Sequence, residues 1–202
     1  MKTTESVLNN LTQTLKNAKF GLDDLQNGPT ERKSAGLTNL TVWGRAVTNV
    51  LQNLKSIESG FTEWYLIHQT VMTEDPLMKY FYKRRSIHLK QGDLNVARVA
   101  RNVNFNSQEI FQRFPPPLNN KGFFMGDENG GSGWIIELPD GKEEKLYIEL
   151  PEDVGSTSIE FIDAPELHMG IPITNKSVEN LSVLYYNYLE NLVDEAYKEF
   201  KK

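Results

Sequence analysis

The sequence predicts a mainly α fold: an antiparallel helical bundle, with a small antiparallel β-sheet inserted before a long C-terminal helix that packs back on the bundle. Three observations carry this. Apolar residues recur every three and four positions through the first ninety or so residues and again after Ser177. Between them, around Pro139-Asp140-Gly141, the period changes to two. Pro115, Pro116 and Pro117 form a stiff, donor-poor connector between the two patterns. The divisions expected from these signals are a bundle over 1–112, a connector and acidic sheet over 113–174, and a closing helix over 175–202.

The first helix is carried by Leu8, Leu11, Leu15, Ala18, Leu22 and Leu25, which share one stripe while Asn, Gln, Thr and Lys occupy the other faces. Asn27-Gly28-Pro29 stops it, since proline cannot extend a preceding helix. Leu37, Leu40, Gly44, Val47, Leu51 and Leu54 then define a second helix, and Gly44 on that stripe lets another helix approach closely. A third follows with an aromatic face of Phe61, Trp64, Tyr65, His68, Val71 and Met72. Asp75-Pro76 breaks it, and Pro76 suits the first turn of a fourth helix through Leu77, Tyr80, Phe81, Arg84, Ile87 and His88, ending at Gly92 and Asp93.

Residues 95–120 give no secure period: Val96, Val99 and Val103 alternate with Arg98, Arg101 and Asn in a way that fits helix and strand equally. Gly133 to Pro151 reads as a hairpin, with Trp134, Ile136 and Leu138 facing one way and Leu146, Ile148 and Leu150 likewise. Ser158 to Ile162 is a third strand. A two-stranded hairpin is marginal alone in water, so this sheet is expected to pack on further structure. Asn175 or Ser177 caps the last helix, whose face is Val178, Leu181, Tyr185, Tyr188, Leu192 and Ala196.

Composition narrows the chemistry. The 202 residues are 39% hydrophobic and 24% charged, with a net charge of −5, so a nucleic acid or anionic membrane would need a local basic patch. The absence of cysteine excludes disulfides, thiolate nucleophiles and cysteine-ligated metals. No run of about 18 apolar residues occurs, and the N-terminus lacks a signal-peptide core, so a soluble cytoplasmic protein is expected. No cofactor and no metal site is expected, because His68, His88 and His168 lie far apart with no ligand spacing between them.

The basic patch lies on the fourth helix. From Pro76 to Phe105 the bases are Lys79, Lys83, Arg84, Arg85, Lys90, Arg98 and Arg101, against one acid, Asp93. Arg84 and His88, four residues apart, share a face and are placed to converge on one phosphate. An imidazole relays protons near neutral pH and a guanidinium stabilises charge growing on phosphate, which is the chemistry of RNA cleavage. The other reading of the same residues is a solvated basic face with a structural histidine.

A compact set of antiparallel helices carrying Arg, a short gap and His resembles the HEPN superfamily, and the helical half is similar to the abortive-infection (AbiV-type) phage-resistance proteins. The motif of that superfamily has four to six residues between Arg and His; here Arg84 has three and Lys83 has four. The resemblance, over residues 5–95, implies a homodimer whose facing motifs line one cleft. It further implies a metal-independent endoribonuclease with Arg84, His88 and Lys83 as catalytic residues, and RNA held by Arg85, Lys79, Lys90, Arg98 and Arg101. Phage defence by halting translation, triggered by a phage protein, is also implied.

A second stretch, Phe123 to Trp134, holds four glycines with Asp127 and Glu128. It matches no phosphate, dinucleotide or calcium fingerprint and reads as a flexible loop leading into the hairpin. Twelve acids between Gly126 and Gly170 face only two lysines, so a protein partner binding through Trp134, Asp127 and Glu128 is the alternative expectation: a non-catalytic dimeric interaction module.

Overall fold

The computed structural model describes residues 2–92, 95–102, 106–127, 131–150 and 154–201. The chain divides into two compact units: residues 1–95 together with 163–202, and residues 96–162. The divisions drawn from the sequence fell at 112 and 174.

The first unit is a helical bundle. α1 (Thr4–Asn27) starts at a capping box, in which the Thr3 hydroxyl accepts the Ser6 amide at 3.1 Å and Ser6 answers at the Thr3 amide at 3.0 Å. It ends at Gly28, and α2 (Thr30–Leu51) returns beside it, continuing as a 3-10 turn over Gln52–Ser56. The two run antiparallel: Lys2 reaches Asn53 at one end, while Gly21 and Gly36 meet near the other. A Cβ on Gly21 would sit 2.4 Å from the Leu40 amide nitrogen, so only glycine permits this approach.

α6 (Val178–Phe200) lies antiparallel to α1, with Thr12 bonded to Tyr197 at 2.8 Å and Lys19 over the Tyr186 ring. Ser177 caps it by accepting the Asn180 amide at 3.2 Å, which settles the choice between Asn175 and Ser177. Leu11, Leu40, Leu51, Leu54, Leu181 and Leu189 are wholly buried, each stabilising the fold by roughly 2 kcal/mol. Gly44 does admit a neighbour, the Tyr185 ring of α6. α3 (Phe61–Glu74) buries Phe61 and Tyr65, and Phe61 lies within aromatic distance of Trp64, Tyr65 and Phe200.

α4 (Pro76–Gln91) completes the bundle by stacking Phe81 on Tyr185, centroids 4.1 Å apart. No helix among the described residues is long and apolar enough to cross a membrane.

The second unit resolves the stretch that periodicity left open. β1 (Val96–Asn102) is a strand, paired antiparallel with β5 (Gly155–Phe161), and α5 (Ser107–Arg113) is a short helix. The third expected strand therefore belongs with β1, not with the hairpin. That hairpin, β3 (Ser132–Glu137) and β4 (Glu143–Ile148), turns at Gly141, where φ is +81°. It gains its third strand from β2 (Asn120–Met125), inside the segment read as connector.

Trp134 packs against Phe111 and Phe123, each at 5.0 Å, and is buried. Leu146, opposite Trp134 in the ladder, stays about half exposed on β4, an edge strand among the described residues. Back in the first unit, Leu167–His168 and Ile171–Pro172 form a two-rung ladder, β6 and β7, across Met169 and Gly170, both at positive φ.

Candidate nucleic-acid interface

α4 presents its charges because both of its ends are fixed. Asp75 accepts the Met78 amide at 2.9 Å as N-cap, Pro76 occupies the first turn, and Gly92 closes the helix in the left-handed region at φ 71°. Leu77, Met78, Tyr80, Phe81 and Arg84 form the inner face. The outer face follows from the helical period: Lys79, Lys83, Ser86 and Lys90 are spaced by four, three and four residues, which is a single stripe about 16 Å long. The three lysines are exposed and enter none of the ion pairs formed among the described residues.

The expected Arg84–His88 pair separates. The Arg84 side chain is 9% exposed, and its guanidinium makes a short salt bridge with Asp163. It also lies 5.1 Å from the centroid of the Tyr80 ring. Asp163 collects two more donors, the Tyr80 hydroxyl at 3.1 Å and the Asn95 amide at 2.9 Å. Burial opposes charge on Asp163, but the Arg84 guanidinium, with the Tyr80 and Asn95 bonds, outweighs it and holds the carboxyl below its usual range. Burial raises the Tyr80 hydroxyl, which therefore acts as a neutral donor.

Asn95 and Asp163 are the residues at which the chain leaves and rejoins the helical unit. The cluster thus ties both of these residues to α4 within the helical unit.

His88 is half-buried and turns to α2, where its Nε2 lies 2.9 Å from the Thr38 hydroxyl; its Nδ1 is buried without a hydrogen-bond partner among the described residues. Arg85 is also half-buried, with Nε unpartnered. Its charge and that of Arg45 both act on the Tyr185 hydroxyl, which burial pushes well above its ordinary value against them. The Arg45 guanidinium sits 5.1 Å from the centroid of the Tyr82 ring and donates to Thr48. Tyr82 is 58% exposed and Leu89 55%.

The remaining expected site residues lie in the second unit. Arg98 and Arg101 are on β1, and their side chains lie outside the described residues, as does Glu128 entirely. Asp127 is engaged within its own unit, accepting the Gly131 amide at 3.0 Å, Lys145 at 2.8 Å and the Tyr147 hydroxyl at 2.7 Å. Trp134 at 3% exposure is a core residue of its unit.

Sequence reasoning missed one well-built polar site. Asp75 is 5% exposed and, besides capping α4, accepts the Met169 amide at 2.6 Å and meets His168 Nδ1 at 3.1 Å. Tyr188 lies edge-on to that imidazole, and its hydroxyl is pushed up to about 12 by burial and then by the charges of Asp75 and Glu195. A separation of 93 positions in the chain hides the Asp75–His168 pair from any local pattern.

Fold and site together define a mainly helical protein with a β insertion and a basic outer face on one helix. Residues 29–115, α2 through α5, match the model of the family described as bacteriophage lambda protein ea47, and over that stretch, less than half of the chain, the protein is similar to a phage protein family. No curated protein and no solved structure matches the chain.

Proposed function

We propose that the protein acts between phage and host by binding RNA without cutting it, with the outer stripe of α4 as the contact. The observation that carries this reading is the separation of the cations from the imidazole. Lys79, Lys83 and Lys90 face solvent in one row, whereas Arg84 is engaged by Asp163 and His88 by Thr38. A row of unpaired lysines holds phosphates, and a guanidinium already bound to a carboxylate has little left for a transition state. The similarity to a phage family supports the setting.

The test is fluorescence anisotropy with a labelled single-stranded RNA across a salt series. Replacing Lys79, Lys83 and Lys90 together by alanine is expected to weaken binding and to reduce the slope of log K against log salt by about 2, since each phosphate contact on a single strand contributes roughly 0.7. An unchanged slope overturns the reading.

The nuclease of HEPN type is the second reading, favoured by one observation: the buried Nδ1 of His88 has no partner, and its ring is only half-buried. Two copies with facing motifs would supply the cleft. Cleavage of RNA by the purified protein, abolished by His88→Ala with the fold intact, would establish it in place of the first.

A further inference from the structure

We infer that Tyr82, backed by Arg45, is a stacking platform for an unpaired base, so that α4 selects single-stranded over double-stranded RNA. This rests on the RNA-binding reading above. Two features independent of the lysine row point to it. The first is exposure: the Tyr82 ring is 58% in solvent, on a helix whose other aromatics Tyr80 and Phe81 are buried, so its face is open to a base. The second is its backing. Arg45 holds its guanidinium 5.1 Å from the ring centroid while donating to Thr48, itself 3% exposed, so the cation is tethered to α2. Arg45 forms no ion pair with an acid among the described residues, and its charge is thus available to the ring and to whatever stacks on it.

Position links the ring to the lysines. Lys79 is three residues before Tyr82 and Ser86 four after, so on the helix surface the ring borders the cationic stripe. A strand whose phosphates follow Lys79 and Lys83 brings a base to Tyr82. Every base has a π-face, so such contact tolerates sequence, but it requires the base to be free of its complement. Leu89, seven residues on and 55% exposed, extends the same edge.

The test compares wild type, Tyr82→Ala, Tyr82→Phe and the triple-lysine variant for binding the same oligonucleotide, single-stranded and annealed to its complement. Tyr82→Ala is expected to lose roughly five- to a hundred-fold in affinity for the single strand and to bind the duplex as wild type does, while Tyr82→Phe retains both. The urea midpoint of Tyr82→Ala should stay close to that of wild type, because the side chain is mostly in solvent and only the surface contact with Arg45 is lost.

Unchanged single-strand affinity in Tyr82→Ala, with binding lost in the triple-lysine variant, overturns the stacking platform and leaves RNA binding standing. Equal losses on single strand and duplex also overturn the platform. Failure of wild type to bind either form overturns both readings and redirects the basic stripe to an acidic protein.

Discussion

Replacing Asp163 by alanine removes the acceptor shared by Arg84, Tyr80 and Asn95. The Arg84 side chain is 9% exposed, so its charge loses its partner without gaining water. Breaking a fully buried pair costs about 3–5 kcal/mol, and because Asp163 is itself 46% exposed, solvent relieves part of that, leaving about 2–3 kcal/mol. For a chain of this size the loss corresponds to a drop in Tm of roughly 5–10 °C.

Arg84→Met removes the charge and keeps the packed stem, at about 1 kcal/mol or less. The double variant should resemble Arg84→Met, because no buried cation is left to suffer. The assay is urea unfolding followed by circular dichroism at the helical band, since the long helices all lie in the unit that holds the cluster. If Asp163→Ala stays within about 0.5 kcal/mol of wild type, the range of ordinary surface substitutions, or if the two single losses simply add, the clamp is not a coupled unit.

Acid titration gives a second reading of the same cluster. The folded carboxyl of Asp163 lies below its unfolded value, so its stabilisation is complete above about pH 4 and is lost as pH falls through the depressed folded value. The difference in urea midpoint between wild type and Asp163→Ala should therefore shrink between neutral pH and about pH 3.

Two further outcomes follow from packing. Gly44→Ala sets a methyl 2.6 Å from the ring of the buried Tyr185, and the resulting overpacking should cost about 1–3 kcal/mol, read from the urea midpoint; a neutral result would mean that α2 and α6 separate freely. Asp75→Ala removes a helix cap together with the acceptor for the Met169 amide and His168, an expected loss of about 2–3 kcal/mol. Hydrogen exchange should show the Met169 amide losing protection in that variant, and protection equal to wild type would argue against the bond.

How much of this was legible depends on range. The Leu8 to Leu25 stripe, the Asp75-Pro76 start of α4 and its Gly92 stop are local, and each appears where periodicity and capping placed it. The β3–β4 hairpin was legible for the same reason, since its turn is five residues from strand to strand. β1 was not, because its partner β5 lies some sixty residues away and alternation alone does not distinguish the half-turns of a helix from a strand. α5, at seven residues, is too short to show a period.

For the site, sequence located the charged residues but not their engagements. That Lys79, Lys83 and Lys90 share a stripe is a consequence of 3.6 residues per turn, and was implicit once the helix was recognised. Whether Arg84 faced a phosphate or a carboxylate was undetermined, because Asp163 is 79 residues away and nothing local couples the two.

The sequence by itself determined the long helices, the two ends of α4 and its polarity, since these depend on which side chains recur within a turn or two. Only the tertiary structure decided that Arg84 binds Asp163, that His88 turns to Thr38 and that Asp75 gathers His168 and Met169. An ion or hydrogen-bonding group takes the partner that folding brings near and desolvates with it, and that choice is made through space by the packing of distant segments.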